Sequence, residues 1–225
     1  MFNRGQCLTR LHCKLIGVVF AGEGLATNWR RRSTALNELA DCEEDVEKAE
    51  EDIELYRLKR LVPLYNRRDE IIERIPGFWR VVLSQHDEFA DHIKASDFKY
   101  VDAIKSIIVH WKTFQDYEIE FKFNAIEGEL KEQTIRKHFS LKDEQLISEP
   151  VDIGVSGTTE RKSFVDWFNW TGVSNEKEFP DGGELAALFS EDIYPYCVKY
   201  YTEAQRDVED EESADNSSEG ELILD

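Results

Sequence analysis

No glycine occurs between Ser33 and Gly77, and within that stretch Leu39, Cys42, Val46, Ala49, Ile53 and Tyr56 recur at alternating spacings of three and four. A helix turns that spacing into an apolar stripe down one face, the pattern by which one helix lies along another. Glu43, Glu44, Glu47, Glu50 and Glu51 surround the stripe. Ser33 or Thr34 is the expected cap, since its hydroxyl can accept from the free amides of a first turn. Past Tyr56 the stripe slips to Leu58, Leu61, Tyr65, Ile72 and Ile75, and Pro63 removes an amide donor. A bend or change of seam is expected over 58–64. A straight helix over 33–75 would be roughly 60 Å long, against about 40 Å for a compact domain of about 150 residues. The sequence holds no second helix of matching length. A second copy of the chain is therefore the expected cover, with Leu39, Val46, Ile53 and Leu61 in the dimer seam; the alternative is a helix folded back at Pro63.

Charge sets the next limit. The chain has 225 residues, with 28 basic and 47 acidic side chains and a net charge of −19. Such a surface repels DNA and anionic lipid, so neither specific DNA binding nor a membrane partner is expected. The charge is uneven. Residues 1–32 carry six bases and one acid, whereas 33–225 carry 22 bases and 46 acids. The apolar run over 15–21 lies behind bases as in a signal peptide, but it is short and poorly followed by a cleavage pattern. Residues 1–32 are read as a basic disordered arm or a misassigned start. At the other end, ten carboxylates stand against Arg206 over 203–225, Glu209, Asp210, Glu211 and Glu212 among them. Like charges at that density cannot bury a core, so 208–225 is read as a disordered acidic tail that attracts a basic macromolecule.

The body over 76–207 reads as α+β. Short helices are expected over 78–93, with Phe78, Trp79, Val82, Leu83, Phe89 and Ile93 inward. Strands follow over 104–111, 117–124 and 132–141, with a weaker one over 147–153. Within the second, Tyr117, Ile119, Phe121 and Phe123 alternate with Glu118, Glu120, Lys122 and Asn124. That order implies an antiparallel sheet covered by helices on one face. Two aromatic-rich helices are expected over 160–170 and 183–207. Cys7, Cys13, Cys42 and Cys197 show no paired framework and read as free thiols. None of the five histidines falls in a spaced metal motif or beside a nucleophile signature, so no catalytic constellation, metal or cofactor is expected.

Four runs in order, IPGFWRVVLSQH (75–86), ASDFKY (95–100), FVDWFNWTG (164–172) and LFSEDIYPYCVKYY (188–201), resemble the nucleosome assembly protein family of histone chaperones. The resemblance covers about 39–212, belongs to the SET branch, and is nearest to a fungal member that partners a histone lysine acetyltransferase. It implies a long helix that makes a homodimer, a sheet-plus-helix body hung from it, core histones as partners, and a nuclear protein that can shuttle through the cytoplasm. It implies, too, that Glu191, Asp192, Glu127 and Glu129 meet histone bases. The connection over 111–117 and the stretch over 155–161 are short beside the family pattern, which weakens the acetyltransferase partnership more than histone binding. The alternative is a non-enzymatic regulatory subunit or inhibitor that acts mainly on a partner enzyme.

Removal of 209–225 should weaken capture of basic polypeptides at low salt while leaving the thermal midpoint unchanged. A calorimetric scan alongside a binding titration checks both halves; a fall of several degrees would mean the tail is packed.

Overall fold

The computed structural model describes residues 23–143, 145–155, 163–173 and 178–218, with side chains over 32–206 of these. The chain divides into two compact units, Met1–Asp52 and Ile53–Asp225. Helix α1 spans Glu23–Ile72. It begins ten residues before the expected cap, so residues 23–32 are helical where an arm was anticipated. The ordinary helix formers Leu25, Ala26 and Arg30 to Arg32 carry the helix through, which leaves Ser33 and Thr34 inside it rather than at its start. Residues 1–22 lie outside the described residues. In the first unit every described side chain from Arg32 to Asp52 is exposed except Ser33.

The second unit opens with the rest of α1. Pro63 does not interrupt it. Pro63 is itself exposed, so the Lys59 carbonyl that loses its donor can bond water instead. Leu58 and Ile72 are buried while Leu61, Val62 and Tyr65 are half-buried, whereas Leu64 and Ile71 stay exposed. Leu61 thus lies on the same side as Leu58 and Tyr65, the slipped stripe of the sequence, while Leu39, Val46 and Ile53 remain 59%, 49% and 65% exposed.

Helices α2 (Phe78–Ser84) and α3 (Asp87–Asp91), a 3-10 turn (Ala95–Asp97) and α4 (Phe98–Asp102) lead into a four-stranded antiparallel meander. Its strands are β1 (Ile104–Thr113), β2 (Asp116–Phe123), β3 (Gln133–Lys142) and β4 (Gln145–Ser148), in spatial order β1-β2-β3-β4. Phe121 pairs with Ile107 on one side and Ile135 on the other, and Tyr117 with Phe139. The fourth strand ends before 149–153, because Pro150 has no amide to give and the neighbouring Val151 amide donates to Phe168 instead. The core gathers on the Phe121 face. Phe168, Trp167 and Phe189 meet the Phe121 ring edge-on at centroid distances of 5.4, 5.9 and 5.2 Å.

Helix α5 (Phe164–Trp167) is one turn rather than the eleven residues expected over 160–170, of which 160–162 lie outside the described residues. Buried Asp97 accepts from the Phe164 amide at 3.0 Å and from the Ser163 hydroxyl, fixing where the turn begins. Its end is set by Lys137. This fully buried ammonium donates to the carbonyls of Glu149, Phe168 and Trp170 at 2.8, 3.0 and 2.7 Å, capturing acceptors that a longer helix would need. Gly172 follows at φ 83°, where a Cβ would stand 2.3 Å from the Leu146 carbonyl oxygen. Helix α6 (Gly182–Ala187), a π-helical segment (Leu188–Ile193) and α7 (Tyr194–Ser218) run on without a break. The backbone is therefore helical over 208–218, part of the expected disordered tail. No glycine or proline interrupts it between Pro195 and Gly220, and Glu and Ala favour a helix even where the carboxylates repel one another. Residues 219–225 lie outside the described residues. Cys42 is an exposed free thiol and Cys197 a buried one.

Burial lowers the Lys137 pKa to about 8. The unfolded chain then holds this proton from about pH 8 to 10.5 while the folded chain sheds it, so folding gains stability from this group as pH rises through that window. The stability of the wild-type chain relative to Lys137→Met should accordingly increase between pH 8 and 10, read by urea unfolding; a flat difference would contradict a depressed lysine.

Candidate functional site

Asp69, Arg68 and Tyr194 fix the helix that carries the acidic residues. Arg68 lies over the rings of Tyr65 and Tyr194, 4.5 and 4.4 Å from their centroids, and donates to the Tyr194 carbonyl at 2.8 Å. The Tyr194 hydroxyl donates to Asp69 at 2.5 Å. Burial raises the Asp69 pKa against the pull of Tyr194 and Arg68, and burial with the Asp69 contact raises that of Tyr194. This joint holds the first turn of α7 on the end of α1.

Immediately before it, Glu191 and Asp192 sit in the π-helical segment. Pro195 explains why the helix widens there: its ring crowds the carbonyl four residues back, that of Glu191, and it has no amide to bond it. The wide turn presents Glu191 and Asp192, and α6 presents Glu184, to one cavity of about 390 Å³ that is also lined by Glu88, His92, Ala187 and Leu188. Crowding by protein raises the Glu191 pKa through desolvation. Asp192 is held from behind. The Tyr200 hydroxyl donates to its Oδ1 at 2.8 Å, and His86 Nε2 lies 3.4 Å from its Oδ2. Burial, then Asp192, Glu203 and Glu88, raise the Tyr200 pKa, the mark of a strongly negative surround.

The other sequence-derived residues lie elsewhere. Glu127 and Glu129 are exposed on the β2–β3 connection, a tight loop closed by the Ile126–Leu130 bridge. Glu191 is close enough to raise the Tyr117 pKa, while the loop follows Phe123, six residues further along β2, a distance of about 20 Å. Glu129 is already engaged: Lys99 donates to it, as does the Tyr100 hydroxyl at 3.2 Å, and the Lys99 contact lowers its pKa. Glu209, Asp210, Glu211 and Glu212 lie on the α7 backbone, their side chains outside those described. The carboxylates of Glu88 and Glu184 and the ring of His92, absent from the sequence reading, complete the cavity. Only the spacing of Glu184, Leu188 and Glu191 on one helical face could have flagged Glu184; nothing local flags Glu88. No cluster of metal-ligating side chains occurs among the described residues, and no helix among them is long and apolar enough to cross a membrane.

The vacuolar protein sorting-associated protein 75 of Saccharomyces cerevisiae is 43% identical over 233 residues, covering 85% of this chain and 88% of its own. A putative nucleosome assembly protein of Schizosaccharomyces pombe is 31% identical over 80% of this chain and 85% of its own length. The chain belongs to the nucleosome assembly protein family. Protein SET of Drosophila melanogaster is 24% identical over 83% of this chain and 80% of its own. A crystal structure of the Vps75 histone chaperone superposes with a TM-score of 0.72 at 44% identity, covering 78% of this chain and 99% of that one. A Ccp1 mutant gives 0.69 at 28% identity, covering 80% and 99%. No protein-family model matches the chain. The α+β fold expected from sequence, a long helix followed by an antiparallel sheet under helices, is the fold of these relatives.

Because Glu191 is raised by desolvation, its ionised form opposes folding. The group costs nothing below the carboxylate pKa of the unfolded chain, near pH 4, and its cost appears as pH rises through the folded value. Glu191→Gln should therefore melt higher than the wild type at pH 7, with the gain vanishing toward pH 4. Equal midpoints at pH 7 would contradict the desolvation.

Proposed function

We propose that the protein is a non-enzymatic, homodimeric histone chaperone, which shields core histones from unspecific contact with DNA and delivers them to nucleosome assembly. The observation that carries the reading is the acidic cavity built around Glu191 and Asp192 in a chain 43% identical to Vps75, a protein whose crystal structure is described as that of a histone chaperone. A chaperone accelerates no bond change. It holds a basic polypeptide by many carboxylates, each exposed pair contributing about 0 to 1 kcal/mol, and gives it up when DNA offers a denser array of anions. The carboxylates over 203–225 raise the rate of encounter by steering. Presentation of the histone to a lysine acetyltransferase, and a nuclear location, extend this reading by analogy with the family. The second reading, a regulatory subunit or inhibitor acting on a partner enzyme, is separated from it by an acetylation assay with and without this chain.

Dimerisation is supported by charge as well as by the exposed apolar residues. Residues 38–54 carry ten acids and one base, whereas 55–72 carry five bases and two acids. Two parallel α1 helices would set the acidic halves side by side; antiparallel helices set acid against base. Leu39 then meets Ile71 of the other copy and Val46 meets Leu64, with Ile53 near the centre of the pair.

Two experiments follow. Val46→Glu with Ile53→Glu should shift sedimentation from dimer to monomer; a wild-type chain that sediments as a monomer at micromolar concentration would overturn the dimer. Separate reversals, Glu191→Lys with Asp192→Lys and Glu127→Lys with Glu129→Lys, should each reduce core-histone affinity at about 0.15 M salt, where screening extends only about 8 Å, with circular dichroism unchanged. Histone affinity untouched by all four changes would locate binding on another face.

A further inference from the structure

Leu39, Val46 and Ile53 follow one another at sevens, as do Arg57, Leu64 and Ile71, and a step of four joins the two sets. Such a step keeps a stripe on one helix face with only a local change of winding. Arg57 therefore occupies a seam position between Ile53 and Leu64, both of them exposed. Its guanidinium has two neighbours. Glu54 lies 3.7 Å away, and the ring of Phe114 lies against it with the centroid at 5.6 Å. Phe114 comes from the tip of the β1–β2 hairpin, which also meets α1 through Trp111 and Tyr65, ring centroids 5.8 Å apart. The tip is held in place: the Gln115 amide donates to the Thr113 hydroxyl at 3.2 Å, and the Gln115 carbonyl accepts from the Leu141 amide at 2.8 Å. The hairpin thus lays a half-exposed aromatic ring beside the seam at its one step of four.

With Leu39 against Ile71 and Val46 against Leu64, the two-fold axis of an antiparallel pair crosses α1 near Leu55. Arg57 is two residues from it, roughly 3 Å along the helix. A group so close to the axis lies beside the stretch of the other helix that opposes it, here Ile53, which is 65% exposed in the single chain. We propose that Phe114 is a dimer-interface residue supplied by the body: the hairpin tip of each copy fills the gap that Arg57 leaves in the seam and packs on Ile53 of the other copy. The inference deepens the dimer reading and rests on it. A charged residue in a seam fixes register at a cost in stability. Phe114 lowers that cost, because one face of its ring shields the guanidinium while its outer surface offers Ile53 the apolar contact that arginine cannot. An interface of helices alone would take in the stripe and no part of the sheet. With Phe114 included, the sheet of one copy is tied to the helix of the other.

The test uses the full chain and reads contact and affinity separately. For contact, a photoreactive benzophenone analogue of phenylalanine is placed at position 114, and this chain is refolded from urea together with an isotopically heavy wild-type chain. After irradiation, mass spectrometry should find position 114 joined to the heavy peptide that contains Ile53, a link that only a second copy can supply. For affinity, Phe114→Ala should raise the dissociation constant of the dimer at least about tenfold, since the change enters the interface twice. Phe98→Ala, which removes a 52% exposed ring from α4 at the other end of β1, should leave it unchanged. Circular dichroism of both variants should match the wild type. Cross-links confined to the light chain in a wild-type dimer, or equal weakening by Phe114→Ala and Phe98→Ala, would overturn the contact and leave the dimer standing. A wild-type chain that sediments as a monomer would overturn the dimer and the contact with it.

Discussion

Arg68 over the rings of Tyr65 and Tyr194 is the contact on which the arrangement of the second unit turns. One guanidinium lies against both rings, donates to the Tyr194 and Pro195 carbonyls and pairs with Asp69, which in turn accepts from the Tyr194 hydroxyl. A cation so placed gives the start of α7 one position against α1. From Tyr194 the chain runs back through the π-helical segment to Phe189, whose ring meets Phe121 and Trp167 in the aromatic core. Glu191 and Asp192 lie between these anchors. Their position is therefore set by packing at both ends.

Much of the fold was legible because its elements differ in period. The alternation from Tyr117 to Phe123 could only be a half-buried strand, and the three-and-four spacing from Leu39 to Tyr56 only a helix face. Boundaries were less legible where the deciding partner is remote in sequence. Lys137 ends α5 by taking the carbonyls of Phe168 and Trp170, about thirty residues away. Pro63 suggests a bend or change of seam, yet α1 runs through it because its exposure lets water replace the lost donor. The change of seam is real but lies in which side faces inward: Leu61 joins Leu58 and Tyr65, while Leu64 stays out with Ile53.

The site was legible in part. Glu191 and Asp192 came from the resemblance, and the structure adds how they are presented: Pro195 widens the turn that carries them. Glu88 and His92 come from α3 and its end, a hundred residues earlier, so no local pattern could join them to Glu184. Glu127 and Glu129 illustrate the converse. They share a charge with Glu191 but lie about 20 Å along β2 from it, and Lys99 already neutralises Glu129.

The account makes electrostatic capture the basis of function. Its most direct test is the dissociation constant of the full chain for core histones between about 0.1 and 1 M salt, over which the screening length falls from about 10 to about 3 Å. The account predicts tight binding at the lower end and a steep, continuous loss of affinity toward the upper. No binding at low salt, or affinity that does not change with salt, would contradict it.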